Sequence, residues 1–72
     1  MMLSQTQRGA RVVVASVSCE PSMVDRLRAL GVYPCAALIV LKISPRKKVW
    51  FVRTESARIA LGAELAACIG VQ

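Results

Sequence analysis

Apolar and polar positions alternate along the chain in short blocks, none long enough for an extended helix. A β-branched run from Ala10 to Ser18 follows Gly9 and predicts a first strand. The preceding stretch, Leu3 to Arg8, is polar and lacks periodicity. Glu20-Pro21-Ser22 reads as a helix start, with Ser22 as the cap and Asp25 as the acidic half of a capping box. Met23, Val24, Leu27 and Leu30 then share one helical face, while Asp25, Arg26 and Arg28 point away from it. Asp25 in the first turn and the arginines near the end suit the helix dipole. Gly31, free to take a left-handed conformation, closes the helix after two turns.

Val32-Tyr33-Pro34 turns the chain into an apolar run from Ala36 to Ile43, whose length and branching predict a strand. Ser44-Pro45-Arg46-Lys47-Lys48 is a polar loop, and Val49 to Arg53 is the next strand, giving an antiparallel hairpin with a basic tip. Neither strand alternates cleanly, so both faces are partly apolar and the outer one needs cover from a helix or another molecule. Thr54-Glu55-Ser56 turns the chain again, and Arg58 to Leu61 is a further short strand. Gly62 to Ile69 reads as one short helix, with Val71 able to pair at the end of a sheet. The expected fold is mainly β: a small barrel of about five strands with one two-turn helix and one short C-terminal helix, since closure removes exposed edges in a chain too short for a sandwich.

Length and composition narrow the picture. Seventy-two residues predict a single domain spanning 1–72, and 56% hydrophobic content argues against disorder. The longest apolar run, Ala36 to Leu41, ends at Lys42, far short of the ~20 residues that span a bilayer. Met1-Met2-Leu3 passes directly into polar residues, unlike a signal peptide, so the expected location is the cytoplasm. Cys19, Cys35 and Cys68 are odd in number and widely spaced, which suits reduced thiols. The formal net charge of +6 favours an acidic partner without choosing among nucleic acid, an anionic membrane and a protein face.

Catalytic chemistry is poorly provisioned. The chain has no histidine, and Glu20, Asp25, Glu55 and Glu64 are scattered over capping and turn positions. Three isolated cysteines do not make the four-ligand set of structural zinc, and Cys68 among Ala66, Ala67 and Ile69 reads as a small core residue. Cys19 and Cys35, beside prolines in turns, are expected to be exposed. The isolated glycines form no phosphate loop. Arg46-Lys47-Lys48 is the one dense charge cluster; it is a solvated tip or a contact for an acidic partner. Trp50 next to Phe51 belongs in the core, whereas Tyr33 beside Pro34 is a candidate partner contact. Three aromatics are few for stacking single-stranded nucleic acid.

The order of elements then becomes informative. Leu3, Gly9, a strand, a short helix and Arg26-Leu27-x-x-Leu30-Gly31-Val32-x-Pro34 leading into an apolar strand resemble the ferrous iron transport protein A (FeoA) family. Ser44-Pro45 in the hairpin loop, Arg58-Ile59-Ala60-Leu61 and Ala66-x-x-Ile69-x-Val71 extend the likeness over nearly the whole chain. Two positions depart from it: Cys35 stands where the family usually has Gly, and Gly62 where a basic residue is common. The resemblance implies an SH3-like barrel without enzymatic activity. It also implies a cytoplasmic protein that assists the membrane ferrous-iron transporter FeoB and reaches the inner membrane through that partner. No resident cofactor or metal is expected beyond transient Fe(II) or another transition metal, and no DNA or RNA. Weak self-association stays open. So do two rivals: a small basic barrel for nucleic acid, and a metal-responsive binding module. The candidate partner-binding residues are Arg46, Lys47, Lys48 and Tyr33.

Overall fold

Antiparallel pairing organises every strand of the computed structural model, which describes all residues from Met1 to Gln72. A 3-10 turn at Leu3–Gln5 precedes β1 (Arg11–Val17), α1 (Pro21–Ala29) and β2 (Ala37–Ile43). A second such turn, Pro45–Lys47, leads to β3 (Val49–Arg53), β4 (Arg58–Gly62), α2 (Ala63–Ala66) and β5 (Ile69–Val71). The sheet order is β4-β3-β2-β1-β5, so β1 is shared between β2 and β5. Register shifts between Val14 and Ser16 on β1, and between Val40 and Lys42 on β2, mark bulges. Each extra residue bends its strand and increases the local twist, which curls so small a sheet around its own core. α2 joins the edge strands β4 and β5 and packs on β4, β3 and the N-terminal turn. No helix is long and apolar enough to cross a membrane.

Register resolves the ambiguous alternation. On β3, Trp50 and Val52 are buried while Phe51 and Arg53 are exposed, a clean two-residue period. On β2, Leu38 and Val40 point inward until the bulge shifts the phase. The expectation that neither strand alternates is therefore corrected for β3, and for β2 up to the bulge. The core comprises thirteen residues, with Trp50 the largest. It includes Leu3, fully buried by its 3-10 turn, in a stretch whose sequence shows no periodicity.

The first helix forms where expected, but its ends differ in detail. Pro21 occupies the first turn, where its missing N–H has no partner to lose and its fixed φ suits a helix. The helix thus begins one residue before Ser22, Glu20 takes the cap position, and no side chain caps it. Asp25 consequently falls beyond the first turn and pairs with Arg28 at 3.9 Å. At the other end, Gly31 (φ +96°) donates its N–H to Arg28 O at 3.1 Å, and Val32 donates to Leu27 O at 2.8 Å. These are the two bonds of a Schellman closure, and the buried Leu27–Val32 pair supplies its apolar contact. Leu30, expected to end the buried stripe, is instead 40% exposed, because the reversal turns Val32 inward in its place. The C-terminal helix is shorter than the expected 62–69 segment: Ile69 already pairs with Val17 in β5.

Cys35 has φ +77°, left-handed backbone that explains why glycine suits this position. Its N–H bonds to Val14 O at 2.8 Å, anchoring the entry to β2.

Two outcomes test this packing. Leu27→Ala is expected to lose about 2–5 kcal/mol in denaturant unfolding, against no more than about 0.5 kcal/mol for exposed Leu30→Ala. Equal losses would show that α1 is not docked through Leu27. Cys35→Gly keeps the backbone bond and relieves the left-handed side chain, and is expected to raise the thermal midpoint, by up to about 1 kcal/mol of stability. A lower midpoint would contradict that reading.

Candidate functional site

The basic tip is fixed by its backbone. Ser44 Oγ accepts the N–H groups of Lys48 and Val49 at 3.2 and 2.9 Å, and Lys47 N–H bonds to Ser44 O at 3.0 Å. Arg46 and Lys47 both take left-handed φ, 65° and 54°. Lys48 O accepts the Ala63 N–H at 2.9 Å, tying the tip to α2. All three side chains are exposed, and none pairs with a carboxylate, the Arg28–Asp25 pair being the chain's one salt bridge.

Tyr33 lies elsewhere. It is half-buried against the core, and its hydroxyl donates to the Glu55 carboxylate in the β3–β4 turn. That bond, and then burial, raise the phenol's pKa above its ordinary value. The Arg46–Lys48 tip sits at the start of β3 and Glu55 beyond its end, so the candidate partner residues fall at opposite ends of that strand.

Beside Tyr33's partner is a feature that contiguous sequence does not reveal. A cleft of about 520 Å³ is lined by Ala37 and Ile39 of β2, by Arg53 and Arg58, and by the turn 54–57. Arg53 and Arg58 are direct cross-strand partners. Thr54 shapes the turn: its hydroxyl donates to Leu30 O at 2.7 Å and accepts the N–H groups of Ser56 and Ala57 at 3.1 and 3.0 Å. The two arginines flank the turn in sequence, and that adjacency was the available signal.

A second cavity of about 500 Å³ lies where Ser18–Glu20 and Met23 face Glu64, Leu65 and Cys68. Ser18 N–H bonds to Cys68 O at 2.8 Å, bringing Cys19 next to Cys68. All three cysteines are free thiols; Cys35 is exposed as expected, whereas Cys19, expected to be exposed, and Cys68, expected in the core, are both half-buried. Burial, and then the neighbouring Cys68, push the Cys19 thiol above its ordinary pKa. No three His, Cys, Asp or Glu side chains gather into a metal-holding group.

The thiols give a direct test. Because the thiolate is the nucleophile, iodoacetamide at neutral pH is expected to alkylate exposed Cys35 before Cys19, as followed by peptide mass spectrometry. The folded state holds the Cys19 proton more tightly than the unfolded chain, so this group's contribution to stability is lost as pH rises above about 8.5. Cys19→Ser should flatten the decline of the thermal midpoint in that range. Alkylation of Cys19 first would contradict the assignment.

A model of the FeoA domain family matches residues 1–72. A search of the curated proteins gives no match. Among solved structures, the FeoA protein of Chlorobium tepidum superposes with a TM-score of 0.92 at 32% identity, over 99% of this chain and 68% of that one. FeoA of Stenotrophomonas maltophilia, solved with zinc and described as a prokaryotic SH3 domain protein and candidate ferrous iron transport activating factor, gives 0.84 at 25% identity, over 100% and 89%. A manganese-dependent transcriptional repressor in complex with manganese gives 0.87 at 24% identity, over 100% of this chain and 35% of that one, a likeness of fold alone. The five-stranded antiparallel architecture is SH3-like, and the chain belongs to the FeoA family, which is associated with ferrous iron uptake.

Proposed function

We propose that the domain is a non-catalytic accessory of bacterial ferrous iron uptake, acting in the cytoplasm by docking on the cytosolic part of the transporter FeoB. The observation that carries this reading is the family match over residues 1–72. Surface chemistry supports it. The chain has no histidine, and its carboxylates are dispersed: Glu20 before α1, Asp25 with Arg28, Glu55 with Tyr33, and Glu64 opening α2. Ten cations against four acids favour an acidic partner. Protein suits that role better than nucleic acid, because Trp50 is buried and Phe51 is a lone exposed aromatic rather than a stacking platform. In this reading Arg46, Lys47 and Lys48 meet the partner, Tyr33 borders the contact at its far end, and no resident metal takes part.

Replacing Arg46, Lys47 and Lys48 together with Glu tests the docking. Exposed unpaired charges contribute little to stability, so unfolding should change by less than about 1 kcal/mol. Association with the purified cytosolic domain of FeoB should slow by about tenfold or more, and added salt should weaken binding of the parent. Unchanged docking and uptake would reduce the tip to a solvated loop. Failure of the parent to dock at all would overturn the reading.

A further inference from the structure

The strand register builds a second basic feature. Arg11 on β1 faces Ile39 on β2, Ile39 faces Arg53 on β3, and Arg53 faces Arg58 on β4. These four positions form one row across four strands, roughly 14 Å long at the usual strand spacing. All three arginines are exposed, and Ile39 between them is half-buried. On one side of the row lie Val13 and its partner Ala37; on the other lie Phe51, its partners Lys42 and Ala60, and the bulge residue Leu41. Val13, Leu41 and Phe51 are 43, 38 and 38% exposed, the large apolar side chains that this face leaves in water.

This arrangement costs stability. Like charges directly opposite on neighbouring strands repel, and Arg53 and Arg58 are such a pair. No carboxylate forms an ion pair with them: the one salt bridge is Arg28–Asp25, and Glu55, which lines the same cleft, accepts the Tyr33 hydroxyl. A local rule broken without internal compensation points to a role outside the fold. We propose that the outer face of β1–β4, centred on Arg11, Ile39, Arg53 and Arg58, docks an acidic amphipathic polypeptide segment. Its carboxylates seat on the arginine row, and its apolar side chains cover Val13, Leu41 and Phe51. Charge complementarity requires the acids, and the apolar flanks distinguish a polypeptide from a nucleic acid, for which one aromatic is no platform. The proposal adds a second surface, beside the tip contact, to the protein docking read above and rests on that reading for the occupant being a protein.

The probe is a synthetic helical peptide with a Glu stripe flanked by Leu, titrated into the 15N-labelled domain. Amide shifts are expected to map to the β1–β4 outer face and to spare the Arg46–Lys48 tip. The Arg53→Gln/Arg58→Gln variant, which removes the like-charge pair without creating another, should lose affinity at least tenfold while its thermal midpoint holds or rises, a combination that a merely structural role does not give. A peptide with Gln in place of Glu should bind at least tenfold more weakly. Shifts centred on the tip, undiminished binding by the variant, tighter binding of a single-stranded thymidine oligonucleotide, or no binding would each overturn the proposal. The same variant tested against the cytosolic domain of FeoB separates the two readings. Docking that survives there removes this surface and leaves the docking reading intact. Peptide binding at this face by a parent that ignores FeoB does the reverse.

Discussion

The hydroxyl of Thr54 is the pivot of the structure. A helix leaves its last carbonyls without partners, and in α1 the Leu30 carbonyl is satisfied from a different element, by Thr54 Oγ1 at 2.7 Å. The same oxygen accepts two N–H groups of the β3–β4 turn, so one buried side chain joins the helix end to the turn. The approach is close enough to restrict the neighbouring residue: a Cβ on Gly31 would lie 2.5 Å from Thr54 Oγ1. Gly31 is thus required both for its left-handed φ and for the absence of a side chain. From this junction the chain runs through Val32 to Tyr33, whose hydroxyl meets Glu55 on the same turn. The helix, the entry to β2 and the wall of the larger cleft are all referred to one contact.

Much of this was legible in the sequence because it is local. The β2–β3 hairpin, the basic tip and the Leu27 face each rest on residues a few positions apart, and periodicity and turn chemistry report such spacing directly. What stayed hidden depends on residues distant in the chain. Leu3 is buried because α2 and β5 meet the N-terminal turn, which no local pattern encodes. The two bulges shift the phase of inward positions on β1 and β2, so alternation read without register mixes the two faces. The arginine row is the clearest case. Arg11, Arg53 and Arg58 stand apart in sequence, and only the pairing of four strands brings them into line. Resemblance to a family located the barrel but carried no residue-level signature for its surface.

A chain of this size has one face of one sheet with which to build a core. Trp50 supplies the largest volume, at 2% exposure, and its indole N–H has no acceptor from the protein. Leaving such a donor unsatisfied costs about 1–3 kcal/mol. The ring's burial against its neighbours is worth a similar or larger amount, so the placement holds on volume rather than on polar satisfaction. With the inner face fully used, α1 closes on Leu27 and Val32, α2 joins the edge strands, and the outer face of β1–β4 is left uncovered.

The two basic features therefore differ physically: one is the tip of a single hairpin, and the other is a row built across four strands. At the tip, Arg46, Lys47 and Lys48 are exposed and project from a turn closed by Ser44. Charges of that kind act over about a Debye length, ~8 Å at physiological salt, and favour encounter more than residence. On the sheet face, the arginines are spaced by strand register and bordered by Val13, Leu41 and Phe51. There, an acidic contact would be partly desolvated, which strengthens a charge-assisted hydrogen bond and penalises a mismatched one. A partner whose acids match that spacing gains from every pair, whereas one with scattered charge leaves buried groups unpaired. On this argument the tip affects how fast a partner arrives, and the register of β1–β4 decides which partner stays.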